Sequence, residues 1–471
     1  MNAGVLKTES APQAPALQSF ESHWRALSLR ESGEFARSGE SWSSQRLRAA
    51  REEAMRRFLQ LGLPTSRDES WRYTNLRSLA AQDYALGAAP ALGAGEIRSW
   101  LDPAGRLPTL LIVNGYFVAD VDAKSSGPLL TSIKDLKIRR LRDLSQVEWE
   151  SAARRFPAFS DGERHRWALL NTALFSDGLH VEISGQIATP LLVLYATTEA
   201  GPNTAVHPRL MIEAAPGSRA TIIEHHLDGA GGADAQARTT LCNSVTRVAL
   251  GTRAELEHYR VFSTGPAAMH FDTLDVRQGE ASRCRQFTVV QGGALVRATL
   301  EAHLEARGSS LDSYALLVGH ESRHVDCVNL AAHAAPDTQS RQTARAIASG
   351  DSRVIFNSTV RVDAGARNAD SQQSCRGLLL SAQAEIDSRP QLEIHTDEVK
   401  CSHGATTGRL DPDMLFYLLS RGLDRETAQS LLVFAFLADV LTSMQLPEAR
   451  AAIENALITQ LPDSQLLRSF R

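Results

Sequence analysis

Apolar positions change their spacing several times along the chain. Across residues 17–81 they recur at helical intervals, and residues 46–61 (RLRAAREEAMRRFLQL) are rich in strong helix formers until Gly62 and Pro64 stop the run. Residues 109–118 read as a strand and a turn, and helical spacing returns over 149–175. From about Gly178 to Cys401 long helical faces vanish, and short strands of Val, Ile and Leu alternate with turns. The turns around Gly217, Gly251, Gly279, Gly308 and Gly365 resemble one another, and the first four glycines lie roughly 28 to 34 residues apart, a period that marks stacked coils. In such a stack each coil buries its inward side chains only against its neighbours. A parallel β-helix is therefore expected; a β-sandwich competes, but rarely keeps about 220 residues of short strands in one domain.

Beyond Gly408 helical spacing returns with clear punctuation. Asp411 can cap a helix with Pro412 at its first position, Gly422 can end it, and Asp424 can cap the next. That second helix places Leu431, Leu432, Phe434, Ala435, Ala438, Leu441 and Thr442 on one broad apolar face, more often core than partner surface. The expected division is a mainly helical region over 1–175 with a loose tail at 1–19, a β-helix over 176–408, and a helical region over 409–471.

Composition narrows the function. The 471 residues carry a formal net charge of −4 with scattered signs, so no nucleic-acid partner is expected. The longest nearly apolar run, residues 431–441, is too short to cross a bilayer and carries Asp439; no membrane span is expected. The N-terminus lacks an apolar signal core, which predicts a cytoplasmic protein. Five widely spaced cysteines form no CxxC, against a disulfide framework, a zinc ribbon or a ferredoxin-type cluster. No lysine follows a glycine, so a nucleotide-binding P-loop is absent, and there is no GxSxG elbow.

Residues 320–324 match HExxH, yet Gly319 and strand-like flanks argue against the helix that a zinc hydrolase needs. Gly229, Gly231 and Gly232 read as a hairpin tip. His225 and His226 point to opposite faces of a strand, one of them outward to solvent, and cannot jointly bind one ion. Cys242, Cys284, Cys327 and Cys375 read as small side chains filling the solenoid. Residues 390–406 differ, because their strand-like alternation sets Cys401 and His403 on one face, within reach of a single soft metal or a cluster edge. Two ligands do not complete a site, so the rest comes from elsewhere in the chain or from a second subunit. Alternation puts His395 on the same face at longer reach.

Residues 324–422 resemble the core of the SufB/SufD family of iron–sulfur cluster assembly proteins. The resemblance rests on His333-Ala334-Ala335-Pro336-Asp337-Thr338-Gln339-Ser340, Phe356-Asn357, residues 370–373, Leu378-Leu379-Leu380-Ser381 with Ala384-Glu385-Ile386-Asp387, residues 390–403, and Phe416-Tyr417-Leu418-Leu419-Ser420-Arg421-Gly422. Gly62-Leu63-Pro64-Thr65 and Asp68-Glu69-Ser70-Trp71-Arg72-Tyr73-Thr74-Asn75-Leu76, with residues 171–178, are most like the SufD branch. Ala369, Cys375, His395 and Glu398 depart from the family pattern.

The resemblance implies a mainly β protein, a right-handed parallel β-helix between helical ends. It implies a non-catalytic scaffold that pairs with SufB through the end of the β-helix and docks the SufC ATPase through its C-terminal helices. A transient iron or iron–sulfur cluster would be shared with SufB near Cys401 and His403, and no nucleotide would bind this chain. A homodimer of the isolated chain stays open. The alternatives are the paralogous SufB role and a β-helix enzyme acting on carbohydrate.

Overall fold

Each coil of the chain contributes one strand to each of two facing sheets. The computed structural model describes residues 14–38, 42–90, 107–121, 133–159, 162–197, 203–228 and 239–459. Among these, eleven strands form one sheet, which ends at Glu385–Ile394, and ten form the other, which ends at Val399–Arg409. Together they build a β-solenoid of about 7 turns, as the turn spacing predicts. Among the described residues all strand pairings are parallel except two near the N-terminal end: Thr109–Val113 with Tyr116–Val121, and Leu136–Arg140 with Gly178–Ile183. The first of these is a tight hairpin, because Asn114 and Gly115 both take positive φ (53° and 82°).

One corner of the solenoid explains the repeated turns. At Gly217, Arg253, Ala281, Gly308, Asp337 and Asn368 the backbone is left-handed, with φ between 52° and 71°. Each of these residues donates its N–H to a carbonyl of the next coil, from Gly217 to Thr252 (2.9 Å) through to Asn368 and Glu398 (2.7 Å). The period is thus conformational more than compositional. Gly251 and Gly279 recur for a second reason: a Cβ at either would come within 2.7 Å of backbone in the preceding coil.

The outer face of each sheet is covered by helices. Pro15–Ser38 and Trp42–Leu61 bring Phe20, Met55 and Phe58 into one core with Leu241, Phe271 and Leu295 of the eleven-stranded sheet. The first helix starts inside the region expected to be a loose tail, since Ala16 and Phe20 have apolar partners there; residues 1–13 lie outside the described residues. On the ten-stranded sheet, Arg425–Leu441 and Pro447–Thr459 lay Val433, Leu437, Leu441 and Ile453 over Tyr259, Phe287, Leu316 and Ile347. Tyr259, Phe287 and Tyr314 stack in register with ring centroids 4.8 Å apart, the spacing of neighbouring strands. Arg345 of this sheet pairs with Asp439 of the covering helix. His225, expected at the surface if His226 is inside, is half-buried and bonds Ser263 Oγ at 3.0 Å, because the ten-stranded sheet is covered there too. The glycine-rich stretch at 229–232 lies outside the described residues.

The N-terminal motif at 68–76 is a staple. Trp71 lies under the Arg297 guanidinium at 3.8 Å and beside Trp167 and Phe271, which stack at 3.8 Å. Arg297 donates to Ser70 O (2.8 Å) and pairs with Asp326, which also accepts from Thr74 Oγ1 (2.5 Å). Glu69 pairs with Arg389 of the last coil, and Asp68 accepts from Arg166 (2.7 Å). Three or more coils are thereby tied to one short segment. Because Arg297 and Asp326 are both buried, removing one partner strands the other charge. Asp326→Ala should destabilise the fold by about 3–5 kcal/mol, and Thr74→Val by about 1 kcal/mol. Denaturant unfolding followed by tryptophan fluorescence measures both; an Asp326→Ala transition at the wild-type midpoint would remove the staple from the account.

Candidate functional site

The two ends of the solenoid are built differently. At the N-terminal end the outermost strands, Tyr116–Val121 and Leu136–Arg140, pair antiparallel with the stack, and the helix Arg166–Leu174, with eight of its nine residues buried, packs on the outer face of the eleven-stranded sheet. At the C-terminal end the coil Glu385–Ile394 and Val399–Arg409 is last, and no described strand pairs with its outer edges. Its side chains are half-buried or exposed, in contrast to the buried positions one coil earlier. A Cβ at Gly404 or Gly408 would meet nothing within 4 Å, whereas one at Gly377 in the preceding coil would press on Ile386 and Thr407 at 3.0 Å. Pro390, which lacks an N–H, sits in the middle of this edge, where a proline is tolerated.

Cys401 and His403 both stand on this open coil. They oppose Ser371 and Gln373, which are buried and face the interior, so both side chains take the inward direction expected of them. The reading of residues 390–406 as one extended strand is corrected. The chain must cross from one sheet to the other in every coil, and here it turns at 395–398, where His395 N bonds Val362 O (2.9 Å). His395 therefore lies at the corner, outside the strand of Cys401 and His403, and alternation no longer aligns it with them. Consecutive inward residues of a strand sit about 6.6 Å apart along it. Among the described residues no third histidine, cysteine or carboxylate clusters with this pair.

Behind His403 runs a polar row unusual for a solenoid core. Cross-strand register lines up His258, Gln286, Ser313, Gln342, Gln373 and finally His403. Ser358 links two members, donating to Gln342 Oε1 (3.0 Å) and accepting from Gln373 Nε2 (2.6 Å), and Asn329 Nδ2 donates to Ser313 Oγ (3.2 Å). Most of this inventory is satisfied internally, but His258 Nδ1, Gln342 Nε2 and Gln373 Oε1 have no partner. His403 is the exposed terminus of the row.

The electrostatics separate the cysteines. Burial pushes the Cys401 thiol above its ordinary value, Asp370 adds to the effect, and the Ser371 backbone N–H opposes it. Cys401 is therefore a protonated thiol at neutral pH that must release its proton to hold a metal. Burial pushes Cys284 and Cys327 up to about 12, and Cys375 upward as well; all three are sealed inside. Cys242 is half-buried. The HExxH residues make no zinc site of the helical kind: His320 is exposed on a turn, and His324 lies in a strand against Thr74 (3.0 Å).

A second surface lies in the helical region over 409–471, for which the resemblance implies a docking role. The helix Pro412–Ser420, capped by Asp411 as expected, buries none of its residues. Met414, Phe416 and Tyr417 are 58%, 71% and 55% exposed. The apolar face of the next helix, read from the sequence as more often core, packs on the chain's own sheet through Leu441, with Phe434 half-buried beside it. The signal was present in Phe416 and Tyr417, two aromatic residues among three leucines on a helix of nine residues.

Residues 195–436 match the family described as SUF system FeS cluster assembly, SufBD core domain, and residues 34–190 match the SufBD protein N-terminal region. The iron–sulfur cluster assembly protein SufD of Escherichia coli is 30% identical over 404 residues, which cover 84% of this chain and 88% of its own length. An iron–sulfur cluster assembly SufBD family protein of Synechocystis is 27% identical over 84% of this chain and 87% of its own. SufD of Bacillus subtilis is 24% identical over 80% and 84%. The carbohydrate-enzyme alternative finds no support among these relatives.

The raised Cys401 value has a measurable sign. Thiolate is the reactive form, so iodoacetamide should alkylate Cys401 more slowly in the folded than in the urea-unfolded chain at pH 7–8, the rates converging only as the pH climbs past the folded value. Asp370→Asn should speed the folded reaction. Mass spectrometry of the modified peptide reads the rates, and equal folded and unfolded rates at pH 8 would refute the assignment.

Proposed function

Since this chain belongs to the SufBD family of iron–sulfur cluster assembly proteins, we propose that it is the SufD-type scaffold subunit of a SufB, SufC and SufD assembly complex. It acts by binding and positioning rather than by catalysing a reaction alone. The observation that carries this reading is the open last coil with Cys401 and His403 on it. A parallel edge of ten and eleven residues presents unpaired backbone groups, and a solenoid end without a cap calls for a matching surface. A paralogous β-helix offering its own last coil, that of SufB, satisfies the requirement.

At such a junction Cys401 and His403 supply one soft and one borderline ligand, too few to close a tetrahedral site. Iron or a nascent cluster is cargo here, held jointly with ligands of the partner. The pair is not a resident cofactor site of this chain. The SufD role is favoured over the SufB role by the motif at 62–76 and by the lack of clustered cysteines in the N-terminal region.

The exposed helix Pro412–Ser420 adjoins the same end, since it follows directly on the last strand. We assign it to the contact with the SufC ATPase, which supplies the nucleotide chemistry that this chain lacks. Approach of two ATPase subunits would shift this helix and its counterpart in SufB, opening or closing the junction around iron and sulfide.

Two experiments test these assignments. In the complex reconstituted with SufB and SufC, His403→Ala should leave folding and assembly nearly intact and sharply reduce the iron and sulfide recovered; Cys401→Ser should have the same or a smaller effect. Normal iron and sulfide in the His403→Ala complex would sink the site. Separately, the triple change Met414→Ala, Phe416→Ala and Tyr417→Ala should abolish retention of SufC in a pull-down while leaving the melting temperature nearly unchanged, because the three side chains bury little in the free chain. Removing all residues from 411 onward would be a poorer test, as it also uncovers Tyr259, Phe287 and Leu316. Full retention of SufC by the triple variant would refute the docking assignment.

A further inference from the structure

Two imidazoles and a thiol converge inside the solenoid, far in sequence from the open coil. His226 is buried, 2% exposed, with its ring held parallel between its register partners Tyr195 (4.3 Å, 5°) and Phe262 (5.0 Å, 7°). Neither of its ring nitrogens has a hydrogen-bond partner. Across the interior, on the other sheet, the fully buried His270 meets it edge-on at 4.5 Å. Cys242 is the register partner of His270 on the adjacent strand. One ligand atom from each of His226, Cys242 and His270 lies within 4.8 Å of the others.

The hydrogen bonds around His270 decide its tautomer. Ser244 Oγ donates to Asp272 (2.5 Å), a carboxylate paired with Arg260, so the same oxygen accepts from His270 Nε2 (2.8 Å). Nε2 therefore carries the proton, and the lone pair is left on Nδ1, which has no partner. A buried imidazole with one nitrogen anchored to a hydroxyl and carboxylate and a free lone pair on the other, beside a second imidazole and a thiol, is the kind of arrangement that orients metal ligands. Burial also keeps both rings in the neutral, ligating form, with His270 brought down to about 3 and His226 held well below its ordinary value.

We propose that His226, Cys242 and His270 form a site for one borderline divalent cation of the zinc class, with a fourth position left for water or another ligand. The donor set of two imidazoles and one thiolate selects such a cation over calcium or magnesium, which take oxygen. A tetrahedral metal needs ligand atoms about 3.4–3.7 Å apart, so side-chain rotation of about an ångström closes the cluster. The half-buried Cys242 provides the side open to entry. The cation would join the two sheets early in the solenoid, and the assignment stands independently of the role of Cys401 and His403.

Cobalt(II) is the probe, added to metal-stripped full-length protein carrying Cys401→Ser and His403→Ala so that the open coil contributes nothing. One equivalent should bind, with a thiolate-to-cobalt charge-transfer band in the near ultraviolet and the intense visible bands of a tetrahedral ion, both displaced by zinc. Cys242→Ser in that background should remove the charge-transfer band. His226→Phe, which keeps a ring stacked between Tyr195 and Phe262 but has no nitrogen, should weaken binding at least tenfold. Circular dichroism and metal-free melting check the fold of each variant, and Cys242→Ser decides alone if His226→Phe fails to fold. No binding by the parent, or a charge-transfer band that survives Cys242→Ser, would overturn the proposal.

Discussion

A strand in a parallel solenoid satisfies half its backbone groups from the coil before it and half from the coil after it. Every other feature of this molecule follows from that requirement. The stacked left-handed corners from Gly217 to Asn368 keep successive coils in register, and the antiparallel strands near the N-terminal end break the parallel pairing that another coil would continue. At Val399–Arg409 the parallel pattern runs to the edge, and no described strand pairs beyond it. The unmet demand and the Cys401/His403 pair occupy the same coil, so a partner that pairs with the edge must also meet the two ligands.

The interior combines two kinds of packing. Aliphatic side chains fill much of it, but the row from His258 to His403 is polar, and Glu224, Arg260 and Asp272 are buried beside it. Breaking such pairs costs more than forming them returns, so their presence argues for a use beyond holding the coils together. The neighbouring His226 and His270, with three ring nitrogens left without a hydrogen-bond partner, fit the same pattern.

Local chemistry was the legible part of the sequence. Asp411 and Asp424 cap helices where they were expected to, since a cap is decided within four residues. The coil period was visible because glycines mark it, although Arg253, Ala281, Asp337 and Asn368 show that the left-handed corner does not require glycine. Periodicity of two could not reveal that residues 390–406 bend, because the corner at 395–398 contains no glycine or proline. The facing of His226 and His270 was illegible for another reason: they sit on different sheets, and only the stacking of coils brings them together. An apolar stripe looks the same whether it meets its own sheet or another protein, so the sequence could not say how far Phe434, half-buried in the structure, is committed to the chain's own sheet.

The regular stacking also makes the solenoid a ruler. Coils separated by about 4.8 Å, repeated over about 7 turns, set the last coil on the order of 34 Å from the first. An extra residue within a coil bulges out at a corner and leaves this length unchanged, whereas an extra whole coil would move the end by one strand spacing. The Glu69–Arg389 pair reads the last part of this length, since a segment anchored at Trp71 over Arg297 reaches the final coil only when the count of coils between Arg297 and Arg389 is right. Variation in this scaffold is therefore free at the corners and quantised along the axis.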